Sequence, residues 1–178
     1  MSGMKGKVAL VTGAGGGVGR SISKRLASDG CKLVLIGRNR DRLAKVASEI
    51  PDKNNVITVV ADITKEAEVL LAIEQTISTF DKVDILVNNA GMINDPAPFH
   101  ETSDDQWNEL MDTNLLGTFR MTKAVLPLMM RNNSGSIVNI SSVLGIRSIP
   151  KVPLSVYGVT KAGIIMFTKS IAVEYGQY

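Results

Sequence analysis

Short runs of apolar, mostly β-branched residues alternate along the chain with longer stretches in which apolar residues recur every three or four positions. The runs Val8 to Thr12, Leu33 to Ile36, Val56 to Val60, Ile85 to Val87 and Ile137 to Ile140 predict five strands. The stretches between them predict helices. One runs from about Gly17 to Asp29 and is stopped by Gly30; another runs from Arg40 to Ile50 and is ended by Pro51. A third runs from Lys65 to Phe80, with Val69, Leu70, Ile73 and Ile77 near a period of 3.6. Ser103 and Gln106 have the spacing of a capping box and open a long helix to about Met130, with Pro127 as a candidate bend. A last helix runs from about Val156 to Tyr178.

The strands are continuously apolar rather than alternating, which is the pattern of strands covered on both faces. Five β-α units, with no repeat and no boundary, therefore predict an α/β fold. It is a doubly wound, Rossmann-like parallel sheet in three layers, forming one domain over residues 1–178. Ligands of such sheets bind beyond the carboxyl ends of the strands.

Composition narrows the chemistry. At 178 residues, 44% hydrophobic and 21% charged, the chain can bury one real core. Met1 to Lys7 leads straight into the first strand without the apolar region of a signal peptide, and no apolar run has the length of a membrane span. The expectation is a cytoplasmic protein with no membrane partner. The lone Cys31 starts an apolar run and reads as a small packed side chain. The lone His100 has no neighbouring ligand set, so no metal is expected. A net charge of +3, scattered along the chain, leaves a nucleic-acid partner resting on a mild basic excess alone, and none is expected.

The turn after the first strand reads Thr12-Gly13-Ala14-Gly15-Gly16-Gly17-Val18-Gly19. Its candidate phosphate contacts are Gly13, Gly17, Val18 and Gly19. Glycines let a backbone approach a pyrophosphate, and the helix that follows offers free N–H groups and a positive dipole end. The spacing is Gly13-x-x-x-Gly17-x-Gly19, not G-x-G-x-x-G. About twenty residues on, the second strand ends in Gly37-Arg38-Asn39. An NAD site places an acid there to hold the ribose. Arg38 instead suits the 2′-phosphate of NADP; Arg40 and Arg42 read equally as a solvated helix face. The cofactor expected is NADP(H) in preference to NAD(H).

Six motifs in order make the chain resemble the short-chain dehydrogenase/reductase family. They are Thr12-Gly13-x-x-x-Gly17-x-Gly19, Asp62 within Val60-Ala61-Asp62-Ile63-Thr64, Asn88-Asn89-Ala90-Gly91, Asn114 in Asp112-Thr113-Asn114, Ser142 in Asn139-Ile140-Ser141-Ser142, and Tyr157-x-x-x-Lys161. In texture it is most similar to the branch of 3-oxoacyl-acyl-carrier-protein reductases. The resemblance implies that Asp62 and Ile63 contact the adenine, although Asp62 also reads as a cap for the helix after it. It implies that Asn89, Ala90 and Gly91 line the ribose side, and that Asn114, Ser142, Tyr157 and Lys161 form a catalytic set. A free tyrosine titrates near ~10, and an ammonium about 4 Å away would favour its phenolate. Tyr157 would then pass a proton to or from the substrate oxygen, Ser142 would hydrogen-bond that oxygen, and Lys161 would hold the nicotinamide ribose. Asn114 would anchor a water reaching Lys161. Ser141 competes with Ser142 for the substrate-facing place. The substrate implied is a small carbonyl or alcohol.

The resemblance also sets two departures. The segment from Gly145 to Val156 is long for the family, and the chain stops at Tyr178 where members continue, so an incomplete C-terminus is expected. The fifth strand would then be an open sheet edge. A homo-oligomer, dimer or tetramer, is implied, and Met121, Leu128, Met129, Ile164, Phe167 and Ile171 read either as its surface or as internal core. The alternative to an enzyme is a truncated, catalytically weak protein that binds the cofactor or a partner.

Overall fold

Every position of β1 (Val8–Thr12) is buried, and its side chains divide between two cores. Val8 and Leu10 face one, Ala9 and Val11 the other. A strand apolar on both sides belongs at the centre of a parallel sheet. In the computed structural model, which describes residues 3–178, β1 is that centre. Met1 and Ser2, read above as part of the approach to the first strand, lie outside the described residues. β2 (Lys32–Gly37) and β4 (Ile85–Asn88) flank β1, with β3 (Val56–Val60) beyond β2 and β5 (Ser136–Asn139) beyond β4. All pairs are parallel, in the order β3-β2-β1-β4-β5. The chain steps outward from β1 to β3 and then crosses back to β4. That reversal opens a crevice at the carboxyl ends of β1 and β4.

α1 (Gly17–Ser28) and α2 (Arg40–Ser48) cover one face, where Leu43, Val46 and Ile50 meet Leu33, Leu35 and Val87. α3 (Glu66–Phe80) and α5 (Gly117–Arg131) cover the other through Val69, Ala72, Phe80, Met121 and Val125. Each fully buried aliphatic side chain contributes about 1.5–3 kcal/mol. Cys31 is packed and buried, and its thiol donates to Met4 O at 3.4 Å. Burial first, then the carboxylates of Asp29 and Asp84, push that thiol up from its ordinary range.

Three expectations change, and one alternative left open by the sequence is decided for three of its residues. The helix opened by the Ser103 capping box is α4 (Asp104–Leu110), and it does not run on regularly to Met130. A π-helical turn, Met111–Leu116, intervenes, and α5 then continues through Pro127. Leu70 is exposed, because the inward stripe of α3 runs through Val69, Ala72, Ile73, Thr76 and Phe80. Met121, Met129 and Ile164 are buried within the chain and cannot form a subunit surface. The apolar residues that α5 and the last helix, α6 (Ser155–Tyr175), turn outward are Phe119, Val159, Met166 and Val173. Finally, α6 is long and apolar enough, by length and composition, to cross a membrane. Its first half nonetheless buries Val156, Thr160, Lys161 and Ile164 against the rest of the chain. β5 forms an open edge, with Val138 45% exposed.

Candidate active site

The turn after β1 is tied to the end of β4 by Thr12. Its Oγ1 accepts from the backbone N–H groups of Asn89 and Ala90, both at 3.0 Å. Asn89 returns the bond: its Nδ2 donates to Thr12 O at 2.9 Å and Gly13 O at 3.2 Å. Two glycines make this closeness possible. Gly13 sits at φ +63°, and a Cβ there would lie 2.9 Å from Ala90 Cα. A Cβ on Gly19 would lie 2.6 Å from Asn89 Nδ2 and closer still to Gly13 O. No substitution fits either place without moving the turn. α1 starts at Gly17 with no acid in its first turn, so its positive end meets no side-chain anion there. Val18 is exposed beside it.

Beyond the turn, a cleft is lined by Gly13, Arg38, Asp62, Ile63, Ala90, Gly91 and Thr113. Arg38 is exposed at its rim. Asn39 caps α2 by accepting from Arg42 N at 2.9 Å, which turns the chain away directly after Arg38. Burial alone would raise Asp62. Bonds from the Thr64 N–H (2.9 Å) and hydroxyl (2.8 Å), with the charges of Arg38 and Lys65, outweigh it and hold the carboxyl below its ordinary range. Asp62 therefore caps its own turn and does not cap α3, whose N-cap is Lys65. The glycine cradle, the unopposed helix end and the basic rim suit a dinucleotide: pyrophosphate at Gly13–Gly19, nucleoside in the cleft.

The cleft leads to a second group of side chains. A Cβ on Gly91 would lie 3.1 Å from Asn114 Oδ1 and 3.4 Å from Lys161 Nζ. Lys161 is 4% exposed; its ammonium donates to Ile140 O at 3.0 Å and lies 5.6 Å from the centre of the Tyr157 ring. Burial pushes the lysine below its ordinary range. The two serines left open by the sequence differ. Ser141 Oγ donates to Lys161 O at 2.8 Å, so its proton is committed. Ser142 Oγ accepts from Leu144 N at 3.2 Å, capping the turn Val143–Gly145 and leaving its own proton to give. That turn packs flush on α6: a Cβ on Gly145 would lie 2.6 Å from the Lys161 carbonyl carbon.

Asn114 is fully buried on the π-helical turn. Its Oδ1 accepts from Met92 N at 2.7 Å, and its Nδ2 donates to Met92 O at 3.0 Å and to Thr160 Oγ1 at 3.1 Å. Both amide hydrogens are thus already bonded to protein, which leaves the side chain no donor for a water. The widened turn carries this side chain inward, a long-range fit invisible to local pattern. Sequence reasoning also missed Thr12, Thr113 and Thr160, and the network in which Asn88 Nδ2 donates to Thr122 and Asn139 while Asn139 donates to Thr168. The long segment after Gly145 forms an exposed loop joined to the loop after β4 by Ala97 N to Pro153 O at 3.2 Å. His100 lies exposed beside Glu101, and among the described residues no three His, Cys, Asp or Glu side chains cluster.

A family model described as short chain dehydrogenase matches residues 7–178. The 3-oxoacyl-[acyl-carrier-protein] reductase of Aquifex aeolicus is 41% identical over 173 residues, which cover 96% of this chain and 68% of that one. Among solved structures, a 3-ketoacyl-(acyl-carrier-protein) reductase from Brucella melitensis complexed with NADH is 37% identical with a TM-score of 0.92, covering 97% of this chain and 72% of that one. An NAD+-bound xylitol dehydrogenase is 34% identical with a TM-score of 0.93, covering 98% and 66% respectively. The chain thus spans about two thirds of the length of these relatives.

Proposed function

The chain belongs to the short-chain dehydrogenase family, and from that premise we propose that it is an NADP(H)-dependent oxidoreductase acting on a carbonyl or alcohol, with a 3-oxoacyl thioester as the favoured substrate class. The observation that carries the reading is Lys161, a buried ammonium beside the Tyr157 ring at the end of a glycine-lined cleft. The thioester is supported by the names of the Aquifex and Brucella relatives. Gly13, Gly17, Val18 and Gly19 would hold the cofactor's phosphates, Asp62 and Ile63 its adenine, and Asn89, Ala90 and Gly91 its ribose side. Arg38, exposed where an NAD site would have an acid, supports a 2′-phosphate. Bound there, the nicotinamide supplies hydride exchange with the substrate carbon.

The remaining work falls to the chain's own groups. The Tyr157 hydroxyl, which makes no hydrogen bond to the described residues, gives its proton to the carbonyl oxygen in reduction and takes it back in oxidation. Ser142, with its proton free, donates to the same oxygen as charge develops on it. Lys161 holds positive charge next to the tyrosine, favouring the phenolate left after proton release, and reaches toward Gly91 and the ribose. Asn114 braces the loop after β4 against α6, the helix that carries Tyr157 and Lys161. The protein acts as a homo-oligomer, a reading supported by the outward apolar residues Phe119, Val159, Met166 and Val173.

The test is turnover of a panel of ketones and 3-oxoacyl thioesters with NADPH. Tyr157→Phe is expected to lose about 10²–10⁴-fold in kcat while still binding cofactor. Undiminished turnover in that variant contradicts the assignment. A second reading, a partner-binding protein of weak activity, draws on the open edge at β5; it predicts tight cofactor binding with no turnover of any member of the panel.

A further inference from the structure

We infer that Thr160 is a positioning residue, coupling the loop after β4 to the turn of α6 that carries Tyr157; the inference rests on the role given to Tyr157 above. Thr160 is fully buried. Its hydroxyl donates to Tyr157 O at 2.8 Å and accepts from Asn114 Nδ2 at 3.1 Å. Asn114, equally buried, grips both backbone groups of Met92 through Oδ1 and Nδ2. The bonds therefore form one uninterrupted chain from Met92, through Asn114 and Thr160, to the carbonyl of Tyr157.

The chemistry of this chain fixes its direction. A primary amide has two hydrogens, and Asn114 gives one to Met92 O and one to Thr160. A hydroxyl has one hydrogen, and Thr160 gives it to Tyr157 O. Thr160 must accept and donate at once, which valine cannot do. Being buried, each group that loses its partner has no water to replace it. The β-branched side chain limits χ1, and the bond to the carbonyl three residues back selects between the two rotamers a helical threonine adopts. Met92 directly follows Gly91, which lies against Asn114 and near Lys161 Nζ. The chain therefore links backbone at the end of the cofactor cleft to backbone at the acid–base tyrosine, and Thr160 itself touches neither substrate nor cofactor.

Two readouts test this. In Thr160→Val, which nearly keeps the volume, exchange of the Met92 amide hydrogen is expected to accelerate about tenfold. In the same variant kcat is expected to fall about tenfold, with a smaller change in the KM for NADPH, because the glycine turn between β1 and α1 is untouched while the tyrosine's placement is loosened. Thr160→Ser, which retains both bonds, should restore kcat and Met92 protection. Should the valine variant not fold, Thr160→Cys, with its weak S–H donor, is expected to shift both readouts the same way. Met92 exchange unchanged in a folded Thr160→Val overturns the coupling whatever the turnover, as does loss of protection in Thr160→Ser equal to that in the valine variant. If the unmodified chain reduces no carbonyl while Thr160→Val still exposes Met92, the coupling stands and the functional reading fails.

Discussion

Lys161 holds its ammonium at 4% exposure with one hydrogen bond, to Ile140 O. Burial disfavours the charged form and lowers its titration point. The sign for stability follows. The unfolded lysine keeps its ordinary pKa, above that of the folded one. Between the two values the unfolded chain binds more protons, so stability rises with pH there. Below that window both states carry the proton, and the buried charge works against folding. Thermal melts of the wild-type chain and Lys161→Met from about pH 7 to about pH 10 should show the wild type gaining on the variant as pH rises. A constant difference across that range would mean that the ammonium is solvated. Lys161→Met should also abolish turnover, since the charge beside Tyr157 is gone. Ser141 and Ser142, adjacent and identical in sequence, are separated only by which one has its proton committed.

At the scale of elements, the turn between β1 and α1 is where backbone fit is tightest. Gly19 lies against Gly13 O and Asn89 Nδ2, whereas Gly16, three residues earlier, has nothing within 4 Å and an extended φ of 178°. Gly19→Ala is expected to cost about 1–3 kcal/mol, a fall in Tm of about 2–12 °C, and to weaken cofactor binding; Gly16→Ala should leave both nearly unchanged. Equal effects at the two positions, measured by thermal melting and titration, would show that the turn is not packed as described. The strands were the most legible elements, because continuous apolar runs such as Val8 to Thr12 carry their burial in their own composition. The π-helical turn was not legible. Nothing local in Met111 to Leu116 asks for a wider pitch; the partner its Asn114 meets there, Met92, is 22 residues away. Leu70 was misassigned for a related cause: period 3.6 tolerates a neighbour of Val69, and only packing decides which one faces inward.

For the whole molecule, the order β3-β2-β1-β4-β5 gathers into one crevice residues from every part of the chain. Arg38, Asp62, Gly91, Asn114 and Lys161 all lie just past the end of a strand or on the helix that follows. The sequence could place each on its element, and the resemblance could name its role, but their meeting depends on the crossover between β3 and β4. Which molecules cover the outward faces of α5 and α6 depends on surfaces that composition does not decide: Met121, Met129 and Ile164 turned inward, Phe119 and Met166 outward. On the reading proposed above, this crevice binds a nicotinamide dinucleotide and Arg38 reads its 2′-phosphate. Calorimetric titration of the chain with NADPH and NADH in parallel, repeated on Arg38→Asp, tests it most directly. NADPH is expected to bind about tenfold or more tightly than NADH, as befits a charge-assisted contact, with that preference lost or reversed in the variant. Equal affinity for the two, or binding of neither, would contradict it.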